Sequence, residues 1–181
     1  MKKILLIFIL FLFSCSNSKI ESSKPISKAI YNKDNFNLVY YLPMFIDLPG
    51  KFGRTPLTEA IESDDTEEFT ILVNLGADIN KPDSMNDTPL MYAISLGRKS
   101  MVEILLKNKV NLNFYDLKGE TPLMKAVSKL NPNLVELILN YDTKVDAVDK
   151  DGNSALMRVI MSSKTYNYNR SKITELLLKK S

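Results

Sequence analysis

TPLMYAISLG, Thr88 to Gly97, has near copies at a fixed distance along the chain. Thr55, Thr88, Thr121 and Ser154 stand 33 residues apart each time, and they open the stretches TPLTEA, TPLMYA, TPLMKA and SALMRV. Equal intervals of this kind are the mark of a stack of like units. The register extends further: Leu57, Leu90, Leu123 and Leu156 form one column, Leu72, Leu105 and Ile138 another, and Asn80, Asn113 and Asp146 a third. Most of TPLMYAISLG is therefore scaffold.

The residue types explain why each unit folds as a pair of helices. A Thr or Ser hydroxyl ahead of an apolar run can accept from the free amides of a first helical turn. Pro56, Pro89 and Pro122 follow at the first helical position, where the missing donor costs nothing. Ala60, Ala93 and Ala126 are small, which suits a close helix-to-helix approach between units. A second helix is expected from Met101, Val102, Leu105 and Leu106, and again from Leu134, Val135, Ile138 and Leu139, whose spacing puts them on one face. Gly53, Gly119 and Gly152, with Asn86 in the remaining slot, precede the caps and suit a left-handed turn.

With its period and its Thr-Pro-Leu start, the chain resembles the ankyrin repeat, and LGADIN (Leu75 to Asn80) matches that family's end-of-repeat segment. The resemblance covers residues 53 to 181. It implies an all-α solenoid of about five stacked helix-turn-helix units, the first and last atypical. The expected layout is a signal peptide over 1–14, a lipidated flexible tether over 15–24, and an ankyrin-repeat domain over 25–181. Within that domain 25–52 is an N-terminal cap and connector, 53–85, 86–118 and 119–151 are full repeats, and 152–181 is a C-terminal cap. One repeat alone leaves its apolar face bare, so stability comes from stacking.

Three departures from the family pattern carry expectations of their own. Thr58, Met91, Met124 and Met157 stand where the family has His, and the chain has no His at all, so buried Met has to fill the gap by packing. Gly76 ends one second helix, but Lys109 and Asp142 replace Gly at the next two, which predicts strained or frayed ends there. The last unit carries an insertion, KTYNYN, without counterpart elsewhere.

The N-terminus reads as an address. Lys2 and Lys3 precede an apolar run from Ile4 to Phe13, after which SCSNSKIESSK is polar. Ten apolar residues span roughly 15 Å as a helix, about half a bilayer's hydrocarbon core. Leu12, Phe13, Ser14 and Cys15 resemble the lipobox of bacterial lipoproteins, in the looser form of spirochaete lipoproteins, which implies that Cys15 is acylated and becomes the mature N-terminus. Removing Lys2 and Lys3 takes the formal charge from +3 to +1. No concentrated basic face remains for a nucleic acid. Two acyl chains on Cys15 would anchor the chain to a membrane, on the periplasmic face or at the cell surface.

Catalysis has few residue types to draw on. Without His, and with its one Cys committed to lipid, the chain would have to work through carboxylates. Asp64, Asp65, Glu67 and Glu68 cluster between the helices of the first full repeat, where acidic residues favour the positive end of a helix. No partner base accompanies them, and the spacing is not that of a calcium loop. Neither a cofactor nor a small-molecule substrate is expected.

Recognition should lie in the columns that do not repeat. Directly after the Thr58/Met91/Met124/Met157 column come Glu59, Tyr92, Lys125 and Arg158, a stripe running from acidic through aromatic to basic. The ankyrin resemblance implies that first helices line the concave side, which makes these four, with Glu62 and the turn-tip residues Phe52 and Arg54, the candidate protein-binding residues. Tyr166, Tyr168 and Arg170 in the insertion form a second candidate contact loop. The expected molecule is a monomeric, membrane-anchored, non-catalytic module that binds another protein at the bacterial envelope. A carboxylate- or metal-dependent enzyme and a purely structural spacer are the alternatives.

Overall fold

In the computed structural model, which describes residues 46–162 and 168–180, the 33-residue period becomes a row of helical hairpins. The described residues hold eight α-helices: α1 (Pro56–Ser63), α2 (Thr66–Asn74), α3 (Pro89–Leu96), α4 (Lys99–Lys107), α5 (Pro122–Ser128), α6 (Pro132–Leu139), α7 (Ala155–Met161) and α8 (Tyr168–Lys180). A short 3-10 turn, Lys51–Gly53, precedes them. The only strand-like feature among the described residues is one isolated bridge between Val148 and Ser154. The signal peptide, the tether, Cys15, most of the N-terminal cap and Tyr166 lie outside the described residues.

Each first helix starts where the sequence says it should. Thr55, Thr88, Thr121 and Ser154 accept from the amides of Thr58, Met91, Met124 and Met157 at 3.3, 3.4, 3.3 and 3.3 Å. Each hairpin packs on itself, α1 on α2, α3 on α4, α5 on α6 and α7 on α8. Stacking then joins like to like: α1 packs on α3, α3 on α5 and α5 on α7, while α2 packs on α4 and α6 on α8. Ala60, Ala93 and Ala126 are fully buried in these contacts, and Val159 occupies the same column in the last unit. One continuous core runs from Ile46 to Leu177. The repeated Leu columns supply its bulk through apolar burial, at about 25 cal/mol per Å².

The Asn80 column links neighbouring units. Asp47, Asn80 and Asn113 each accept, through Oδ1, a backbone amide of the following unit: from Asp78 at 2.9 Å, Asn111 at 2.7 Å and Lys144 at 2.8 Å. One side-chain bond of this kind adds about 1 kcal/mol net.

The substitutions that depart from the family behave unequally. Met91 and Met124 are buried, and the Met124 thioether accepts from the Thr121 amide at 3.5 Å. Met157, by contrast, is half exposed, because no described helix pair follows the last one. Thr58 stays buried by turning its hydroxyl back to the Thr55 carbonyl at 2.8 Å. Lys109 takes the left-handed backbone predicted for a missing Gly, with φ 58°. Asp142 differs from that expectation: it has no positive φ, and α6 reaches its C-cap at Asn140, one residue earlier in the repeat than α2 at Leu75 and α4 at Asn108.

Candidate functional site

The face built from first helices and turn tips begins with a turn that recurs four times. Asp83, Asp116 and Asp149, also 33 residues apart, each donate a backbone amide to the carbonyl four residues on, in Asp87, Glu120 and Asn153, at 3.0, 3.1 and 3.1 Å. Gly50 makes the same bond to Arg54 at 2.7 Å. Inside each aspartate turn, Oδ1 accepts two amides: Met85 and Asp87 at 2.8 and 2.9 Å, Lys118 and Glu120 both at 2.8 Å, and Asp151 and Asn153 at 2.9 and 2.8 Å. A carboxylate oxygen that accepts two amides of its own turn is held in one orientation. Successive tips are then joined by backbone bonds, Ser84 to Phe52 at 2.9 Å, Leu117 to Met85 at 3.1 Å and Lys150 to Lys118 at 3.0 Å, the first residue donating each time.

The second oxygen of each aspartate reaches the stripe. Asp83 Oδ2 accepts from the Tyr92 hydroxyl at 2.8 Å, Asp116 Oδ2 pairs with Lys125 Nζ at 2.8 Å, and Asp149 Oδ2 accepts from Arg158 Nη2 and Nε at 2.5 and 3.0 Å. Each stripe residue also reaches back to the preceding tip. Arg54 Nε donates to the Tyr92 hydroxyl at 3.2 Å, Lys125 pairs with Asp87 at 2.8 Å, and Arg158 pairs with Glu120 at 2.7 Å. Lys125 lies 3.6 Å from Glu120 as well. The outcome is a polar ladder that crosses three repeat boundaries.

The ladder shifts the titration of several of its members. Burial acts to lower the Lys125 ammonium, but hydrogen bonds to Asp116 and Asp87 outweigh it and the pKa rises. For Asp116, burial acts upward and is overcome by Lys125 and the amides of Glu120 and Lys118, so the carboxyl falls below its usual range. Asp149 is lowered by the Asn153 amide and then by Arg158. Tyr92 is raised by burial and by its bond to Asp83, against the opposing effect of Arg54.

Four of the sequence-predicted residues meet at the first boundary. Arg54 pairs with Glu62 at 2.8 Å, and its guanidinium stands 5.7 Å from the Phe52 ring centre and 5.6 Å from that of Tyr92. Both distances fit a cation–π contact. Glu59 stays out of the ladder for a visible reason. Gly50 fills the aspartate slot ahead of it, and a Cβ there would sit 3.2 Å from Glu59 Oε1. An aspartate at 50 would set two carboxylates against each other. Of the insertion residues, Tyr168 is strongly exposed and Arg170 donates to the Ile160 carbonyl.

Sequence reasoning missed Asp83, Asp116 and Asp149, although their spacing was legible. Tyr92, Lys125 and Arg158 are therefore only partly available to a partner, since each is committed to two neighbours. Exposed apolar surface lies instead on the tips, at Phe52, Met85 and Leu117. Two members of the acidic cluster of the first repeat are engaged as well. Asp65 caps α2 by accepting from the Glu68 amide at 2.9 Å, and Asp64 pairs with Arg98 at 2.8 Å. No group of three or more His, Cys, Asp or Glu side chains among the described residues is arranged to hold a metal ion. No helix among them is long and apolar enough to cross a membrane.

Comparison with known proteins agrees with this architecture. A family model for ankyrin repeats, in three copies, matches residues 26–116 and 108–181. A search of curated proteins returned no match.

Proposed function

The chain belongs to the ankyrin-repeat family, and from that premise we propose that it is a non-catalytic protein-binding module, held at a bacterial cell envelope through an acylated Cys15. Stacked repeats of this kind offer an extended surface to a protein partner rather than a closed pocket for a small molecule. The observation that carries the reading is the row of exposed apolar side chains Phe52, Met85 and Leu117 on tips tied to one another by backbone hydrogen bonds. Exposed apolar side chains on a rigid support cost little entropy to bury, which is what a binding surface requires. Beside them the ladder presents charge in fixed positions, which favours specificity over raw affinity. Attachment rests on the sequence of the leader alone, on Leu12, Phe13, Ser14 and Cys15.

Two measurements test the two halves separately. Phe52→Ser, Met85→Ser and Leu117→Ser combined leave every ladder bond in place. Crosslinking in intact cells should capture a partner with the natural chain and lose it with this variant at unchanged helical content. Equal capture by both removes this face from consideration. For the anchor, fatty-acid labelling in cells should mark the natural chain and not Cys15→Ser, and an unlabelled natural chain rules the lipid out.

A further inference from the structure

The crown of each tip is a pair of exposed residues: Lys-Phe at 51–52, Ser-Met at 84–85, Leu-Lys at 117–118 and Lys-Asp at 150–151. The first three crowns each carry one large apolar side chain, and all four together carry three lysines and one aspartate. The carboxylates beneath are already engaged. Asp83, Asp116 and Asp149 hold their own turns, and Asp87 and Glu120 pair with Lys125 and Arg158. The first crown stands apart. Phe52 has φ 61°, a left-handed backbone that bulky residues rarely adopt, and no other crown residue has positive φ. Backbone bonds from Gly50 to Arg54, Gly53 to Gly50, Arg54 to Lys51 and Ser84 to Phe52 hold it there. Backbone strain that its surroundings maintain clusters at ligand clamps. The Phe52 ring presented in this way is 58% exposed, with Lys51 Nζ 4.9 Å and the Arg54 guanidinium 5.7 Å from its centre. Apolar contact and positive charge thus meet at one point.

We propose, resting on the tip surface argued above, that its partner presents an acidic amphipathic α-helix laid along the crowns. Spacing selects the helix. Stacked helices stand about 8–10 Å apart, and two hydrogen-bonded backbones per tip, about 4.8 Å apart, give the same repeat of roughly 10 Å. Seven residues of an α-helix rise about 10.5 Å and return to the same face, so one apolar residue per heptad meets Phe52, Met85 and Leu117 in turn. A strand returns to one face every ~6.7 Å and falls out of step. A polyproline helix repeats at about 9.3 Å, but it docks in aromatic-lined grooves, and the crowns hold a single aromatic residue. Charge selects the sign. Exposed Lys51 and Lys118 adjoin Phe52 and Leu117, exposed Lys150 lies beyond them, and Asp151 opposes them only at the last crown. A helix of about 20 residues, ~30 Å long, spans all four crowns.

The probe is a synthetic stapled helix of about 20 residues with Leu at every seventh position and Glu beside each Leu, titrated by fluorescence anisotropy with the full chain in mild detergent. It should bind at least tenfold more tightly than the same helix with Lys for Glu, or with its Leu residues dispersed over all faces, and salt should weaken it. Lys51→Glu, Lys118→Glu and Lys150→Glu combined should reverse the preference between the acidic and basic helices. Phe52→Asn suits the left-handed backbone, so it should leave Tm no lower while cutting binding at least tenfold. The acidic helix failing to bind overturns the proposal, as does equal binding of acidic and basic helices or of ordered and dispersed Leu. An acidic proline-rich peptide that binds more tightly than the helix overturns it by placing an extended segment on the crowns. Flotation of the Cys15→Ser chain with anionic phospholipid vesicles through the same lysines, without helix binding, overturns it in favour of a lipid surface. If the helix fails while crosslinking in cells still depends on Phe52, Met85 and Leu117, the helical partner is wrong and the tip surface stands; if both fail, the surface itself is wrong.

Discussion

Replacing Lys125 by Met should cost about 3 kcal/mol, because it removes the cation shared by the two middle turns while keeping the aliphatic stem. Lys125 Nζ lies 2.8 Å from both Asp87 Oδ1 and Asp116 Oδ2, and its side chain is only 13% exposed. Each charge-assisted bond is worth about 1.5 kcal/mol or more net, and removing one partner of a buried pair leaves the other ion uncompensated. Asp116 keeps the amides of Lys118 and Glu120 on Oδ1 but loses its partner on Oδ2. The loss should appear as a fall of roughly 6–12 °C in Tm for a chain of this size, read by circular dichroism. Hydrogen exchange should place the damage, with the amides of Met85, Asp87, Lys118 and Glu120 opening before those at the ends of the stack. The penalty should also depend on pH. Lys125 holds the Asp116 carboxyl below its usual range, so its contribution is present above the unfolded carboxylate pKa of about 4 and is lost as acid protonates the folded group. Natural chain and variant should therefore converge at low pH. A cost under about 0.5 kcal/mol, the scale of an exposed ion pair, or a cost that persists unchanged into acid, would refute the ladder as a source of coupling between repeats.

Three further outcomes follow from the same geometry. Gly119→Ala should destabilise by about 1 kcal/mol more than Gly152→Ala: both have left-handed φ, 78° and 79°, but a Cβ at 119 meets the Lys150 amide at 2.9 Å while one at 152 meets nothing within 4 Å. Equal costs in paired urea titrations would mean that the tip-to-tip approach carries no weight. Lys109→Gly should stabilise by about 0.5–1 kcal/mol by relieving a left-handed backbone, and Asp142→Gly should not, since that residue has no positive φ. The pH–stability curve should bend at both ends. Lowered Asp116 and Asp149 contribute above about pH 4 and fade as pH falls below it, whereas raised Lys125 and Tyr92 contribute fully below about pH 10 and fade as pH rises beyond it. A curve flat to either extreme would contradict these assignments.

The fold was legible because its signal is redundant. Period, cap, Pro and Leu columns all specify the same hairpin, so replacing every family His with Thr or Met cost the reading nothing. The face was less legible, for a physical reason. The Asp83, Asp116 and Asp149 column recurs as strictly as the Leu columns, yet register does not say whether an aspartate faces water or folds under its own turn. The outcome depends on the backbone amides of the two and four following residues, which every sequence supplies. What betrays the column is its break: Gly50 takes the slot in the one unit whose stripe residue is Glu59. The difference between Lys109 and Asp142 was hidden as well, because α6 ends one residue earlier in its repeat than α2 and α4, which the column of Gly76, Lys109 and Asp142 does not show.

The ladder changes how variation along a repeat array is understood. Columns that differ between repeats look like places where a partner has left its mark, and the stripe of Glu59, Tyr92, Lys125 and Arg158 invites that view. Here each of the last three differs in step with its neighbour one repeat back. Arg54 meets a phenol it can donate to, Asp87 meets an ammonium, and Glu120 meets a guanidinium. Each boundary thus has its own polar match. Moving the repeat that carries Lys125 back one place would set its ammonium against Arg54, with repulsion where attraction now stands, whereas Arg158 moved back one place would still meet a carboxylate, Asp87. Polar groups that penalise wrong pairings contribute specificity even where their net stabilisation is modest. Tyr92, Lys125 and Arg158 are engaged across the repeat boundaries, which leaves the surface outside the ladder, above all Phe52, Met85 and Leu117 on the tips, as the place where an outside molecule could be recognised.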